Sequence, residues 1–367
     1  MSLTAGIVGL PNVGKSTLFN AITNSRVEAA NYPFATIEPN VGIVEVKDER
    51  LVNLSNEFKP ERTIFTTFEF TDIAGLVKGA SNGEGLGNKF LANIRQVDAI
   101  CHVVRCFEDN DIQHVYNRIN PIDDIEIINY ELIMADMATC ENRISKVEKK
   151  AQTSKDKEAV FEYNILTKIH DALAKGQVIR SLTFSDSERE YIKGFEFLTS
   201  KPVIYIANIK EEEINDPESN PHFVEVKQYG EKEGSEVVPI SAKIEEELSD
   251  LSKEDKQLFL DDLGIKSSGL DELILKSYKT LGLKTFFTVG KDECRGWTFK
   301  EGMKAPECAG IIHTDFQKGF IKAEVYSYDD FMEYKSEVKL KEVGKVRQEG
   351  KEYLMKDGDV VFFKFNV

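Results

Sequence analysis

The 367-residue chain contains no apolar run of the roughly 18 to 20 residues that a membrane-spanning helix needs, so none is expected. Its five cysteines (Cys101, Cys106, Cys140, Cys294, Cys308) are odd in number and form no CxxC pair. That pattern speaks against a disulfide-rich miniature fold and suits the reduced thiols of a cytoplasm. The first residues, Met1-Ser2-Leu3-Thr4-Ala5, lack a basic region followed by an apolar one, so no signal peptide is predicted. Internal repeats and low-complexity segments are lacking too. Positive charge is in deficit, with 47 Lys and Arg against 63 Asp and Glu, a net charge of −16. What is present, 41% hydrophobic and 30% charged residues, is ordinary for a soluble globular protein of two or three domains.

The acidity is uneven. Glu211 to Asp262 carries much of it, whereas Arg143 to Lys157 and Lys335 to Lys351 are basic islands. A local basic surface on an acidic protein is compatible with RNA contact; solvated helix or strand faces explain such runs equally well.

The first hundred residues alternate short apolar runs, glycine-bearing turns and helical stretches, the pattern of an α/β parallel sheet. Strands are predicted at Ala5 to Val8, Ile64 to Thr71, Ala99 to Arg105, Pro202 to Ala207 and Val237 to Ile240. A helix is predicted at Lys15 to Thr23, and Ser185-Asp186-Ser187-Glu188 reads as a capping box. Between about Pro121 and Ser185 the texture changes. Ile133, Met137, Cys140, Ile144, Val147 and Ala151 step by four and three, a heptad seam. After the polar break Gln152 to Asp156, apolar positions return at Ile165, Ile169 and Ala172. Two helices and a short turn imply an antiparallel helical hairpin, a coiled coil inserted into the α/β domain. From about Leu283 strand-like segments punctuated by glycines suggest a small β-rich domain. The expected organisation is a nucleotide domain over 1–282, interrupted by a helical insertion over 122–200, and a C-terminal domain over 283–367.

Gly9-Leu10-Pro11-Asn12-Val13-Gly14-Lys15-Ser16-Thr17 matches GxxxxGK[ST] between a predicted strand and a predicted helix. Amides of Asn12 to Thr17 would wrap phosphates at a helix N-terminus. Lys15 would reach the β- and γ-phosphates, and the Ser16 hydroxyl would ligate Mg²⁺. Asp72-Ile73-Ala74-Gly75 follows a strand, as the DxxG of switch nucleotidases does. Asp72 would hold the metal through water, the Gly75 amide would sense the γ-phosphate, and Thr36 would supply a second hydroxyl from a loop. Where a GTPase carries NKxD, this chain has Asn208-Ile209-Lys210-Glu211. Ile209 replaces the lysine that stacks on the base, and a longer Glu211 replaces the aspartate that accepts two guanine bonds. ATP is therefore expected over GTP, with the adenine amino group donating to an Asn or backbone oxygen. Ser241-Ala242-Lys243 follows the last strand and is placed to back the base.

Together GLPNVGKST, NYPFATIEPN (Asn31 to Asn40), DIAGLVKGAS (Asp72 to Ser81) and HTDFQKGFIKAEV (His313 to Val325) closely resemble the YchF subfamily of Obg-like ATPases, in the translation-factor-related P-loop class. The resemblance spans nearly the whole chain. It implies a P-loop G domain with a mostly parallel sheet, an inserted helical hairpin and a C-terminal β-grasp TGS domain. It also implies ATP preference, slow hydrolysis and association with ribosomes. The expected contact is the large subunit and its rRNA, made by a cytoplasmic monomer.

Leu76 stands where Ras-like enzymes carry a water-orienting Gln, so intrinsic turnover is expected to be slow. His114, just past a strand end at a position where the family's motif carries a histidine, is the candidate to orient or deprotonate water; otherwise it is a surface loop residue. His102, mid-strand, reads as a core histidine. Asn12 matches the position that holds a monovalent cation in potassium-stimulated relatives, which would put K⁺ beside the phosphates. Arg143, Lys146, Lys149, Lys150, Lys155 and Lys157 are the basic candidates for rRNA phosphate. Two other readings stay open: a conventional GTPase with a degenerate base motif, and a nucleotide-gated scaffold with negligible turnover.

Overall fold

The computed structural model describes residues 3–24, 40–73, 85–109, 111–115, 118–153 and 156–366. Thr36, Gly75 and Leu76 lie outside the described residues. The described residues divide into two compact units, one of 3–24, 40–42 and 69–273, the other of 43–68 and 274–366.

With strands numbered along the chain, the first sheet comprises β1 (Thr4–Val8), β2 (Val41–Val46), β4 (Thr66–Asp72), β5 (Ala99–Arg105), β6 (Val203–Asn208) and β7 (Glu236–Ile240), in the order β2-β4-β1-β5-β6-β7. Pairing is parallel from β4 through β1, β5 and β6 to β7. Every residue of β5 and β6 is buried. That is why these strands read as unbroken apolar runs rather than as alternation. Because the strands run the same way, the loops after Val8, Asp72, Arg105, Asn208 and Ile240 all leave from one end of the sheet, where open α/β sheets bind ligands.

The insertion is a hairpin of two helices, Pro121–Thr153 and Lys157–Leu173. Pro121 suits the first helical position, where a missing N–H costs nothing. The 33-residue first helix is ~50 Å long at 1.5 Å per residue. Asp156 starts the return by accepting the amides of Glu158 and Ala159 at 3.0 and 3.3 Å. Ile133, Cys140 and Val147 pack against Ile165, Leu166, Ile169 and Leu173, with Met137 and Ile144 half-buried beside them. The heptad seam is thus the hairpin's core. Its root is polar and buried: the Asp136 carboxylate accepts the amides of Leu198 and Thr199 at 2.9 and 2.8 Å and the Thr199 hydroxyl at 2.7 Å. The capping box forms at Ser185, whose backbone amide donates to Glu188 at 2.7 Å.

The second unit contains a six-stranded sheet ordered β11-β10-β12-β8-β9-β3. Its strands are β3 (Arg62–Ile64), β8 (Leu283–Thr288), β9 (Glu293–Lys300), β10 (Phe320–Ser327), β11 (Arg347–Glu349) and β12 (Asp359–Phe365). One face buries Phe286, Phe299, Ala323, Val325 and Phe363 against Ala305, Cys308 and Ala309. The other buries Phe287, Cys294, Tyr326 and Val360 against Leu51, Leu54, Phe331 and Leu340. Residues 43–68, expected from texture in the nucleotide domain, thus pack with the C-terminal residues. The strand predicted as one piece over Ile64 to Thr71 is two: β3 pairs with β9 in this sheet, and β4 pairs with β1 in the other. An apolar run does not say where a strand changes partners.

Candidate nucleotide-binding site

The loop after β1 is shaped by two residues with left-handed backbone, Asn12 at φ 63° and Gly14 at φ 95°. Asparagine tolerates that region and glycine adopts it freely. At Gly14 space decides as well, because a Cβ would stand 2.2 Å from the Asn208 amide nitrogen. The Lys15–Asn24 helix follows at once, its first turns closed by the Leu18 amide on the Gly14 carbonyl at 3.0 Å. Its N-terminus therefore faces the end of the sheet with amides and the positive end of its dipole.

Lys15 Nζ is paired with the carboxylate of Asp72, the last residue of β4. The cation meant for phosphate and the carboxylate meant for metal are thus in contact; Lys15 and Ser16 line the cavity, and Asp72 is not among its lining residues. Hydroxyl and carboxylate oxygens suit Mg²⁺, which takes one or two protein ligands and completes its shell with phosphates and water. Among the described residues no cluster of three His, Cys, Asp or Glu could hold a metal on protein ligands alone.

The cavity has a volume of about 710 Å³. Asn12, Gly14, Lys15, Ser16 and Thr17 form one side, and Asn208, Ile209, Glu211, Ser241, Ala242 and Lys243 form the other. Val13 is buried beneath the loop and is not among the lining residues. Asn208 lines the cavity and also ties two loops together. Its amide nitrogen donates to the Val13 carbonyl at 2.9 Å and its oxygen accepts the Ala242 amide at 3.0 Å. These bonds link the phosphate loop to the 241–243 loop, and each end of the amide keeps one further hydrogen-bonding position. Lys243 Nζ lies 3.3 Å from a Glu211 oxygen, and this contact holds the lysine's pKa above its ordinary value.

Among the lining residues that escaped the sequence reading are Glu212 and Glu246, and Phe107, Asp109 and Ile112 from the loop after β5. That loop is built on Arg105, a guanidinium only 1% exposed. It donates to the carbonyls of Phe107, Asp109 and Ile112 at 3.1, 3.1 and 2.9 Å and lies over the Phe107 ring at 4.6 Å. Burial lowers its pKa, opposed by Asp109 and Asp124. The one available signal was an arginine closing an apolar strand. Asn12 fixes the far end of the loop, donating to the Gln113 carbonyl at 3.0 Å.

His114 is not a surface residue and is not among the cavity's lining residues. It is buried, with Nε2 3.0 Å from the carboxylate of Asp124 in the first turn of the Pro121–Thr153 helix. Burial raises the Asp124 pKa, with the imidazole and Arg118 opposing. His102 is a core histidine as expected, its pKa pushed down to about 3 by burial and by the Arg180 charge.

Residues 4–134 match the family model described as "50S ribosome-binding GTPase", and residues 283–366 match YchF-GTPase_C, described as "Protein of unknown function (DUF933)". The chain is 58% identical to the "Ribosome-binding ATPase YchF" of Bacillus subtilis (strain 168) and 52% identical to that of Escherichia coli O157:H7. Both comparisons cover all of each chain. The solved Schizosaccharomyces pombe YchF GTPase is 40% identical and superposes with a TM-score of 0.89, over 99% of this chain and 98% of that one. With the full length covered at this identity and a phosphate loop, base wall and helical insertion all in place, the chain belongs to the YchF family.

Proposed function

We propose that the protein binds and slowly hydrolyses ATP, in preference to GTP, to ADP and phosphate, as a nucleotide-dependent switch that engages the ribosome. The observation that carries the hydrolase reading is the pairing of Lys15 with Asp72 at the end of a strand, with Lys15 and Ser16 lining a cavity of about 710 Å³. Lys15 neutralises the β- and γ-phosphates. Ser16 and Asp72, with Thr36, hold Mg²⁺, which when bound offsets phosphate charge. Val13 and its neighbours in the loop contribute amides. The Gly75 amide, on the family resemblance, reports the γ-phosphate. With Leu76 in place of a glutamine, His114 is the group proposed to orient the attacking water.

The preference for ATP rests on Glu211. It is longer than the aspartate that accepts the paired N–H bonds of guanine, one of its oxygens lies 3.3 Å from the Lys243 ammonium, and Ile209 offers an apolar surface without a lysine stem. A competition titration with ATP and GTP in Mg²⁺ tests this. A tenfold preference for ATP, about 1.4 kcal/mol, is expected. Equal or tighter GTP binding would transfer the chain to the GTPase reading with the fold intact. Asn12, whose amide nitrogen is used on Gln113, has its oxygen to offer K⁺. Faster hydrolysis in potassium than in sodium buffer is expected, and equal rates would remove that cation from the scheme.

The relatives' names support a ribosomal partner, and the 50S description favours the large subunit. rRNA as the contact and a cytoplasmic monomer as the working form complete the proposal, with the helical insertion over 122–200 as the reaching element.

A further inference from the structure

The loop after β5 sends Phe107, Asp109 and Ile112 to the nucleotide cavity, whereas His114 is buried and is not among the lining residues. Its side chain is 3% exposed, and its Nε2 meets the Asp124 carboxylate, itself 5% exposed, at 3.0 Å. With Asp124 ionised its carboxylate only accepts, and Nε2 is then the donor. Nε2 is thereby occupied by Asp124 and not by a water at the nucleotide. The surroundings favour the arrangement. Asp124 sits in the first turn of the Pro121–Thr153 helix, where the dipole stabilises an anion. Arg105 and Asn12 fix the loop backbone on either side of the cavity-lining residues.

We infer that Asp124 is a positioning residue that holds His114 stowed against the root of the helical arm, and that displacement of the arm releases the imidazole toward the nucleotide. Slow intrinsic turnover then has a cause on the protein's own side. The contact joins the loop that walls the cavity to the first turn of a helix ~50 Å long. A partner gripping the arm acts on Asp124, ten residues along the chain from His114, without touching the nucleotide. The inference rests on the reading of His114 as the water-orienting group.

The test is steady-state ATP hydrolysis by the full-length protein, wild type against Asp124→Ala, Asp124→Asn, His114→Ala and the His114→Ala/Asp124→Ala double variant, each checked by thermal melting. Removing the carboxylate should raise kcat by about three- to tenfold with the KM for ATP little changed, and the double variant should fall back to the His114→Ala rate. Asp124→Asn, which keeps the shape and a weaker acceptor, should give a smaller rise and serves if the alanine variant folds poorly. Asp124 variants that fold yet run at or below the wild-type rate, beside a slow His114→Ala, would overturn the stowing contact and leave His114's role standing. A His114→Ala enzyme as fast as wild type would remove His114 itself, and the stowing contact with it.

Discussion

Asn208 stands where a motif puts it and carries a structural task that the motif does not spell out. A strand-end asparagine before a base loop suggests contact with the base, but its amide links the Val13 carbonyl to the Ala242 amide. Asn208→Ala would leave two buried backbone groups without partners. It should lower unfolding free energy by about 2–4 kcal/mol and weaken binding of both ATP and GTP, measured by urea denaturation and by the same titration. A change confined to ATP would instead make Asn208 a reader of the base. The phosphate loop was legible because GxxxxGK[ST] is a local pattern with one backbone solution. Arg105 and Asp124 were not, because their partners are loop carbonyls and a histidine brought together only by folding.

Among elements, those specified by local period are the ones the sequence displays. The heptad seam from Ile133 to Val147 fills the hairpin core, and Ser185 caps its helix as its spacing implies. The parting of β3 from β4 was hidden, since strand pairing is decided by distant partners. A further hidden link joins two helices: Glu245, on Ala242–Ser249, accepts the Gly269 amide at 2.7 Å where Gly269–Thr280 begins. Burial raises its pKa from 4.5 to about 7, against the pull of that amide and of Leu270. In this interval the folded protein holds a proton that the unfolded chain has lost, so Glu245 makes stability fall as pH rises from about 4.5 to 7. Glu245→Gln, which keeps the acceptor oxygen, should match wild type near pH 4.5 and exceed it at pH 8 by up to about 3 kcal/mol in urea melts. An identical pH dependence in both proteins would show that Glu245 ionises without penalty.

At the scale of the molecule, a chain of net charge −16 meets RNA only where its surface is locally basic. The arm's run is less free than its sequence implies. Arg143 is paired with Glu162, and Lys150 with Asp156. Lys155 lies outside the described residues. Lys146, Lys149 and Lys157 are exposed and form no ion pair among the described residues, and of these Lys146 and Lys149 share the first helix. Reversing both to Glu should weaken co-sedimentation with ribosomes and flatten its log–log salt dependence by about two. Unchanged, salt-insensitive sedimentation would assign the contact elsewhere. The cysteines open a way to watch the arm directly. All five are buried, and burial pushes the Cys140 and Cys308 thiols up to about 12. Maleimides seek exposed thiolate, so the native chain should stay dark to them near neutral pH. A fluorophore on one cysteine introduced at the exposed Asn142 would then report arm motion while leaving the basic candidates in place.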